Sequence, residues 1–298
     1  MKSGTALRLY LVSLLLFGMN GIVASYISNL DCYQIVFFRS LLAFVVMMAA
    51  LLIVSRSFSF GHLGRKCIPL VLSGISLGFC WIFIYRAYDE IGVGMTSLLY
   101  CCGPAILMVV SPYVFKEKLT AFKVLGMCAV LAGAIMLSMH NLGMGGSASG
   151  YIFGILAAVT YVFTIVFFKS ADVKEGLEAP TLQMLATMGA VFVCVMFISK
   201  IPTSISSGDI IPVLALGIVN AGLGCLMYLV SIPHLEAQTV AICDYIEVGS
   251  AVVFATVLLS EPLDIVKILG MALIVAGVII GEVLDNKRGK RCVSEDIA

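Results

Sequence analysis

Two carboxylates three residues apart, Asp244 and Glu247, stand in the middle of a long apolar run. In a helix that spacing puts both on one face. A charged side chain at mid-bilayer costs about 2.5–3.5 kcal/mol on insertion scales, so each asks for a reason. Facing a cavity, the pair could bind a substrate amine or exchange a proton, because low dielectric and mutual repulsion favour neutralising it. A buried pair satisfied by neighbouring helices is the competing reading. Arg39 is the only basic residue deep in an apolar segment. Its guanidinium fork suits a substrate carboxylate, but an ion pair to Asp244 or Glu247, or snorkelling to a headgroup, accounts for it as simply.

Uncharged polar groups add to the set. Asn20, Gln183, Asn220 and Gln238 also lie in apolar runs. Interhelical hydrogen bonds explain most such residues, and the first three are candidate substrate contacts as well. Trp81, Tyr85, Tyr100, Tyr161, Tyr228 and Tyr245 sit inside apolar segments rather than at their ends. An aromatic belt would occupy the ends, so several of these are candidate walls for an aromatic or amphipathic solute, with lipid-facing packing as the alternative.

Other chemistries lack their parts. The chain has no CxxC pair and no HExxH, and His140 ends its apolar run with no nucleophile elbow or partner beside it. Asp244 is alone at depth, with Asp31 and Asp89 near segment ends, so an intramembrane aspartyl protease is not expected. Most of the ten cysteines lie in apolar runs, where a thiol behaves as a small hydrophobe. No enzyme, metal site, cofactor or structural disulfide is expected, and direct ATP coupling would need a Walker motif that is missing.

The elements that must position these residues follow from composition. Of 298 residues, 61% are hydrophobic and 12% charged, whereas a soluble domain carries roughly 25% charged residues. A bilayer core about 30 Å thick needs roughly 20 apolar residues per helix. Segment length predicts ten membrane spans near 9–27, 32–54, 68–86, 91–111, 121–140, 151–169, 180–199, 209–231, 236–259 and 264–284. The first imitates a signal peptide but reads as an uncleaved helix. The net charge of +1 suggests no nucleic-acid partner; the expected partners are the bilayer and a small-molecule substrate, with the chain a monomer or a homodimer. Lys and Arg near span ends stay on the cytoplasmic side. With the N-terminus inside, fourteen basic residues fall inside and only Arg86, Lys200 and Lys267 outside. This predicts a multi-pass inner-membrane protein with both termini cytoplasmic.

The segments are also written twice. Lys116-Glu117-Lys118-Leu119 leads into Leu125-Gly126-Met127 and Ala132-Gly133; Ser260-Glu261-Pro262-Leu263 leads into Leu269-Gly270-Met271 and Ala276-Gly277. Glu117 to Glu261, Gly126 to Gly270 and Gly133 to Gly277 are each 144 residues apart. The same offset relates Asp244 to Tyr100, Glu247 to Gly103, Arg39 to Gln183 and Asn20 to Thr164. Five spans per copy is an odd number, so the second copy enters the membrane inverted. The expected units are 1–145 and 146–298. Glu117 and Glu261, beside turns, are expected to anchor helix starts or loops rather than substrate.

The ordered set of Leu16-Phe17-Gly18-Met19-Asn20, Phe38-Arg39-Ser40, Gly103-Pro104, the two acidic corners, Glu247-Val248 and the closing Leu-Gly-Met…Ala-Gly runs resembles the EamA-type branch of the drug/metabolite transporter superfamily over nearly the whole chain. The resemblance implies an all-α fold of ten transmembrane helices in two inverted five-helix repeats around a central cavity. It also implies transport of small metabolites, often amino acids, commonly outward; export of drugs or organic cations is the alternative. Where the family often has Glu-Pro in the ninth span, this chain has Glu247-Val248, which puts a proline-assisted break there in doubt.

Overall fold

The computed structural model describes residues 3–55, 61–139, 147–173, 176–199, 205–259 and 264–284, and all regular structure among them is helical. The Ser260-Glu261-Pro262-Leu263 corner and the basic tail from Lys287 lie outside the described residues, as do Lys2, Arg56, His140, Lys174 and Lys200. The described helices form ten spans: Ser3–Ser25, Cys32–Ser55, 67–91, 93–115, Ala121–Met139, Ala148–Ser170, Glu178–Ile198, Ser207–His234, Ala237–Leu258 and Ile265–Glu282.

The third and fourth spans differ from expectation in having no loop between them. They belong to one helical stretch, Leu63–Phe115, bent at Gly92. Gly92 has φ 75° and ψ 165°, a region essentially closed to residues with a Cβ. One glycine therefore replaces a linker. The fourth span is interrupted again at Cys101, and the ninth at Asp244, between Ala237–Cys243 and Tyr245–Leu259. At that second break the Glu247 N–H donates to the Asp244 carbonyl only three residues back, at 3.0 Å. No proline is needed for it. The Tyr245 hydroxyl donates to the Cys101 carbonyl at 2.6 Å, and these two residues are themselves 144 apart. The two broken helices thus meet on the symmetry axis.

Packing shows that axis directly. A Cβ on Gly126 of the fifth span would stand 2.7 Å from the Gly277 carbonyl of the tenth, and one on Gly133 would stand 2.5 Å from the Gly270 carbonyl. Each contact joins one residue to the repeat counterpart of the other, and the helices run antiparallel. Equivalent helices that pair antiparallel across a bilayer enter it in opposite senses, so the two-fold axis lies in the membrane plane. Small residues make the approach close enough for backbones to touch.

A second interface is repeated with one adjustment. Gly74 and Gly78 of the third span pack on Ala186 and Ala190 of the seventh, while Gly217 and Gly222 of the eighth pack on Leu42 and Val46 of the second. The partners correspond at offset 144, but the glycines are four apart in one copy and five in the other. The eighth span is π-helical over Ala215–Gly224, and i→i+5 bonding absorbs one extra residue. Polar contacts repeat too: Ser73 donates to the Thr164 carbonyl at 2.7 Å, third span to sixth, and Asn220 donates to Asn20 at 3.0 Å, eighth to first.

Candidate functional site

Between the repeats lies a cavity of about 420 Å³, walled by the first, third, fourth, sixth, eighth and ninth spans with Arg39 from the second, Leu137 from the fifth and Lys267 from the tenth. It extends to Ser25 and Val93, both exposed, and toward the other face it ends beneath Ile165 and Leu229, both buried. The protein is therefore open on the face bearing Ser25, Gly92 and Lys267, and closed on the opposite one.

Nine of the eleven candidate residues line this space: Asn20, Arg39, Trp81, Tyr85, Tyr100, Tyr161, Asp244, Tyr245 and Glu247. Asn220 reaches it only through its hydrogen bond to Asn20. Gln183 is fully buried between helices, where its Nε2 donates to the Ser73 hydroxyl at 2.9 Å; it does not line the cavity.

The two acids are held differently. Asp244 sits at the break in the ninth span, and its two carboxylate oxygens accept from the hydroxyls of Tyr10 and Tyr161. Tyr10 stacks on Tyr228 with ring centroids 5.0 Å apart, and Tyr100 meets Tyr161 edge-on at 5.6 Å. Glu247, one turn further on, lines the cavity and takes no side-chain hydrogen bond from any described residue. Tyr10 and Tyr228 anchor this cluster. Tyr228 is legible in the sequence as an intraspan aromatic, whereas Tyr10 carries no such signal, and its repeat counterpart is Gly154.

Arg39 faces the cavity from the other side. Its guanidinium carbon lies 4.3 Å from the centre of the Trp81 ring, and Nη1–H donates to the Tyr85 hydroxyl at 3.3 Å. Its Nε has no partner, and Arg39 forms no ion pair with Asp244 or Glu247 among the described residues. A cation–π contact and one neutral hydroxyl stabilise the charge without neutralising it. Glu247 therefore stays available on one wall and a guanidinium on the other.

The closed face carries its own charges. Glu117 accepts from the backbone N–H groups of Ala237 and Gln238 at 2.7 and 3.1 Å, and from Lys169 Nζ at 3.2 Å. It thus caps the start of the ninth span, as an anion does at a helix N-terminus. Lys169 also donates to the Leu235 carbonyl at 2.6 Å. Beside it, Lys123 pairs with Glu236. At offset 144 the counterparts of Lys169 and Glu236 are Ser25 and Gly92, so the open face has no matching charge at either position.

A transporter of Bacillus subtilis (strain 168) named as uncharacterized, YxxF, is 25% identical over 99% of this chain and 94% of its own length. An uncharacterized transporter of Helicobacter pylori (strain J99 / ATCC 700824) is 23% identical over 74% of this chain and 73% of its own. One solved crystal structure superposes with a TM-score of 0.80 over 94% of this chain and 98% of its own, at 18% identity, a likeness of fold. The model of the EamA-like transporter family matches twice, over residues 5–139 and 148–281, and with its inverted repeat and central cavity the chain belongs to that family.

Proposed function

We propose that the protein is a secondary transporter that moves amino acids or close derivatives across the inner membrane by alternating access, in the direction of export. The observation that carries this reading is the cavity's opposed walls. Arg39 on one side suits a carboxylate, and Glu247 on the other suits an ammonium. A zwitterion complements both without bringing net charge into the bilayer. In this reading the duplicated units 1–145 and 146–298 rearrange about the shared site, the termini are cytoplasmic, and the cavity opens on the outer face. The binding set is Arg39, Glu247, Asn20 and the aromatic walls Trp81, Tyr85 and Tyr100, with Tyr161, Asp244 and Tyr245 beneath them and Gln183 and Asn220 as outer supports. The chain acts as a carrier, not as a catalyst.

The test is reconstitution of the purified chain into liposomes with a panel of labelled amino acids and cationic drugs, with and without a pH gradient. Counterflow of at least one amino acid is the expected result. Counterflow of cationic drugs with none for any amino acid would establish the organic-cation reading that the aromatic walls also favour. Net flux indifferent to the pH gradient would rule out proton coupling.

A further inference from the structure

The two acids share one helical face, yet their surroundings assign them different work. We propose that Glu247 is the acid that contacts the solute. Asp244 is then a positioning residue, through which the tyrosine hydroxyls of Tyr10 and Tyr161 fasten the first and sixth spans to the broken ninth span. This division rests on the carrier reading above.

Three observations carry it. Both Asp244 oxygens already accept from hydroxyl donors on two different spans, so the carboxylate cannot turn toward a ligand without breaking one of those bonds. The tyrosines cannot simply rotate away, because Tyr10 is fully buried against Tyr228 and Tyr161 is held edge-on by Tyr100. Glu247 is the reverse case: it faces open cavity with no side-chain partner among the described residues. Tyr10 and Tyr161 also sit on spans that correspond under the repeat, the first and the sixth. The clasp at Asp244 therefore ties one helix of each copy to the break nearest the axis. A rearrangement that moves the first and sixth spans against the ninth must loosen these bonds and remake them.

The experiment separates binding from turnover. Trp81 is the chain's only tryptophan and lies under Arg39 in the cavity wall, so its fluorescence reports occupancy. The probes are the protein amino acids, each titrated singly against purified full-length protein and then followed by counterflow in liposomes. Glu247→Gln is expected to raise the half-saturating concentration about tenfold or more, the cost of losing a charge-assisted hydrogen bond. Tyr10→Phe and Asp244→Asn are each expected to change maximal counterflow by about tenfold, with half-saturation within about twofold of wild type. Their effects should not multiply: the double variant should match Asp244→Asn alone, since the hydroxyl acts only through that carboxylate. Tyr161→Phe serves where Asp244→Asn yields too little folded protein.

The division is overturned if Asp244→Asn shifts half-saturation as Glu247→Gln does, or if the Tyr10 and Asp244 effects multiply. It is equally overturned if Tyr10→Phe and Tyr161→Phe both leave counterflow at the wild-type rate. Wild-type protein that neither responds at Trp81 nor shows counterflow with any amino acid would instead overturn the substrate reading, a distinct outcome.

Discussion

Arg39 is 5% exposed and surrounded by groups that tolerate its charge but do not cancel it. Burying a cation without an anion is costly, and such a residue persists where an anion arrives. Arg39→Gln is therefore expected to raise the half-saturating amino-acid concentration about 10- to 100-fold, the range for a charged hydrogen bond. Arg39→Lys should recover only part of it, since a point charge cannot form the planar fork. Trp81 fluorescence measures both. A half-saturation unchanged in Arg39→Gln would assign the guanidinium to packing alone. At this scale the sequence was informative wherever a charge interrupted an apolar run, which is why Arg39, Asp244 and Glu247 stood out. It was silent on direction. Gln183 shares Arg39's depth through the repeat, yet it points into a helix contact with Ser73. Tyr10 looks like any apolar-run tyrosine until the fold brings Asp244 to it, from 234 residues away.

At the scale of elements, the close approaches of the fifth and tenth spans depend on glycine for space, not for backbone freedom. Gly133→Ala would put a methyl 2.5 Å from a backbone carbonyl, which cannot step aside as a side-chain tip can. A loss of about 1–3 kcal/mol is expected, read as a lower unfolding temperature in detergent. Gly189→Ala, with open space around it, should stay within about 0.5 kcal/mol of wild type. Equal effects from the two would mean that the glycine contact is not what holds these helices together. Ten spans and their order were legible because bilayer thickness fixes the length of each apolar run and the repeat supplies a second copy to check it. The missing loop at Gly92 was not, since a single residue in an unusual conformation leaves no polar stretch. Nor was the π-helical stretch Ala215–Gly224, whose only trace is the five-residue spacing of Gly217 and Gly222.

At the scale of the whole molecule, two charge pairs close one face, and their burial ranks them. The side chains of Lys169 and Glu117 are each 11% exposed, whereas in the other pair Lys123 is 6% exposed and Glu236, at 59%, stands largely in solvent. Removing one member of a pair buried on both sides costs about 3–5 kcal/mol, while an anion standing in solvent is screened and contributes less to its pair. Lys169→Met should therefore open the closed face far more than Glu236→Gln does. Cys243 is fully buried one helical stretch inside that face. In a chain keeping only that cysteine, its rate of modification is expected to rise about tenfold or more with Lys169→Met and to change little with Glu236→Gln. The reverse order would place the closure elsewhere. Because Ser25 and Gly92 stand where Lys169 and Glu236 would have to be, the opposite mouth cannot build the same latch from its own residues. The machine is symmetric in shape and lopsided in energy: left idle, it should come to rest with its vestibule toward Ser25. The unloaded return stroke then becomes the slow leg of the cycle, and cargo waiting on the receiving side should quicken the traffic.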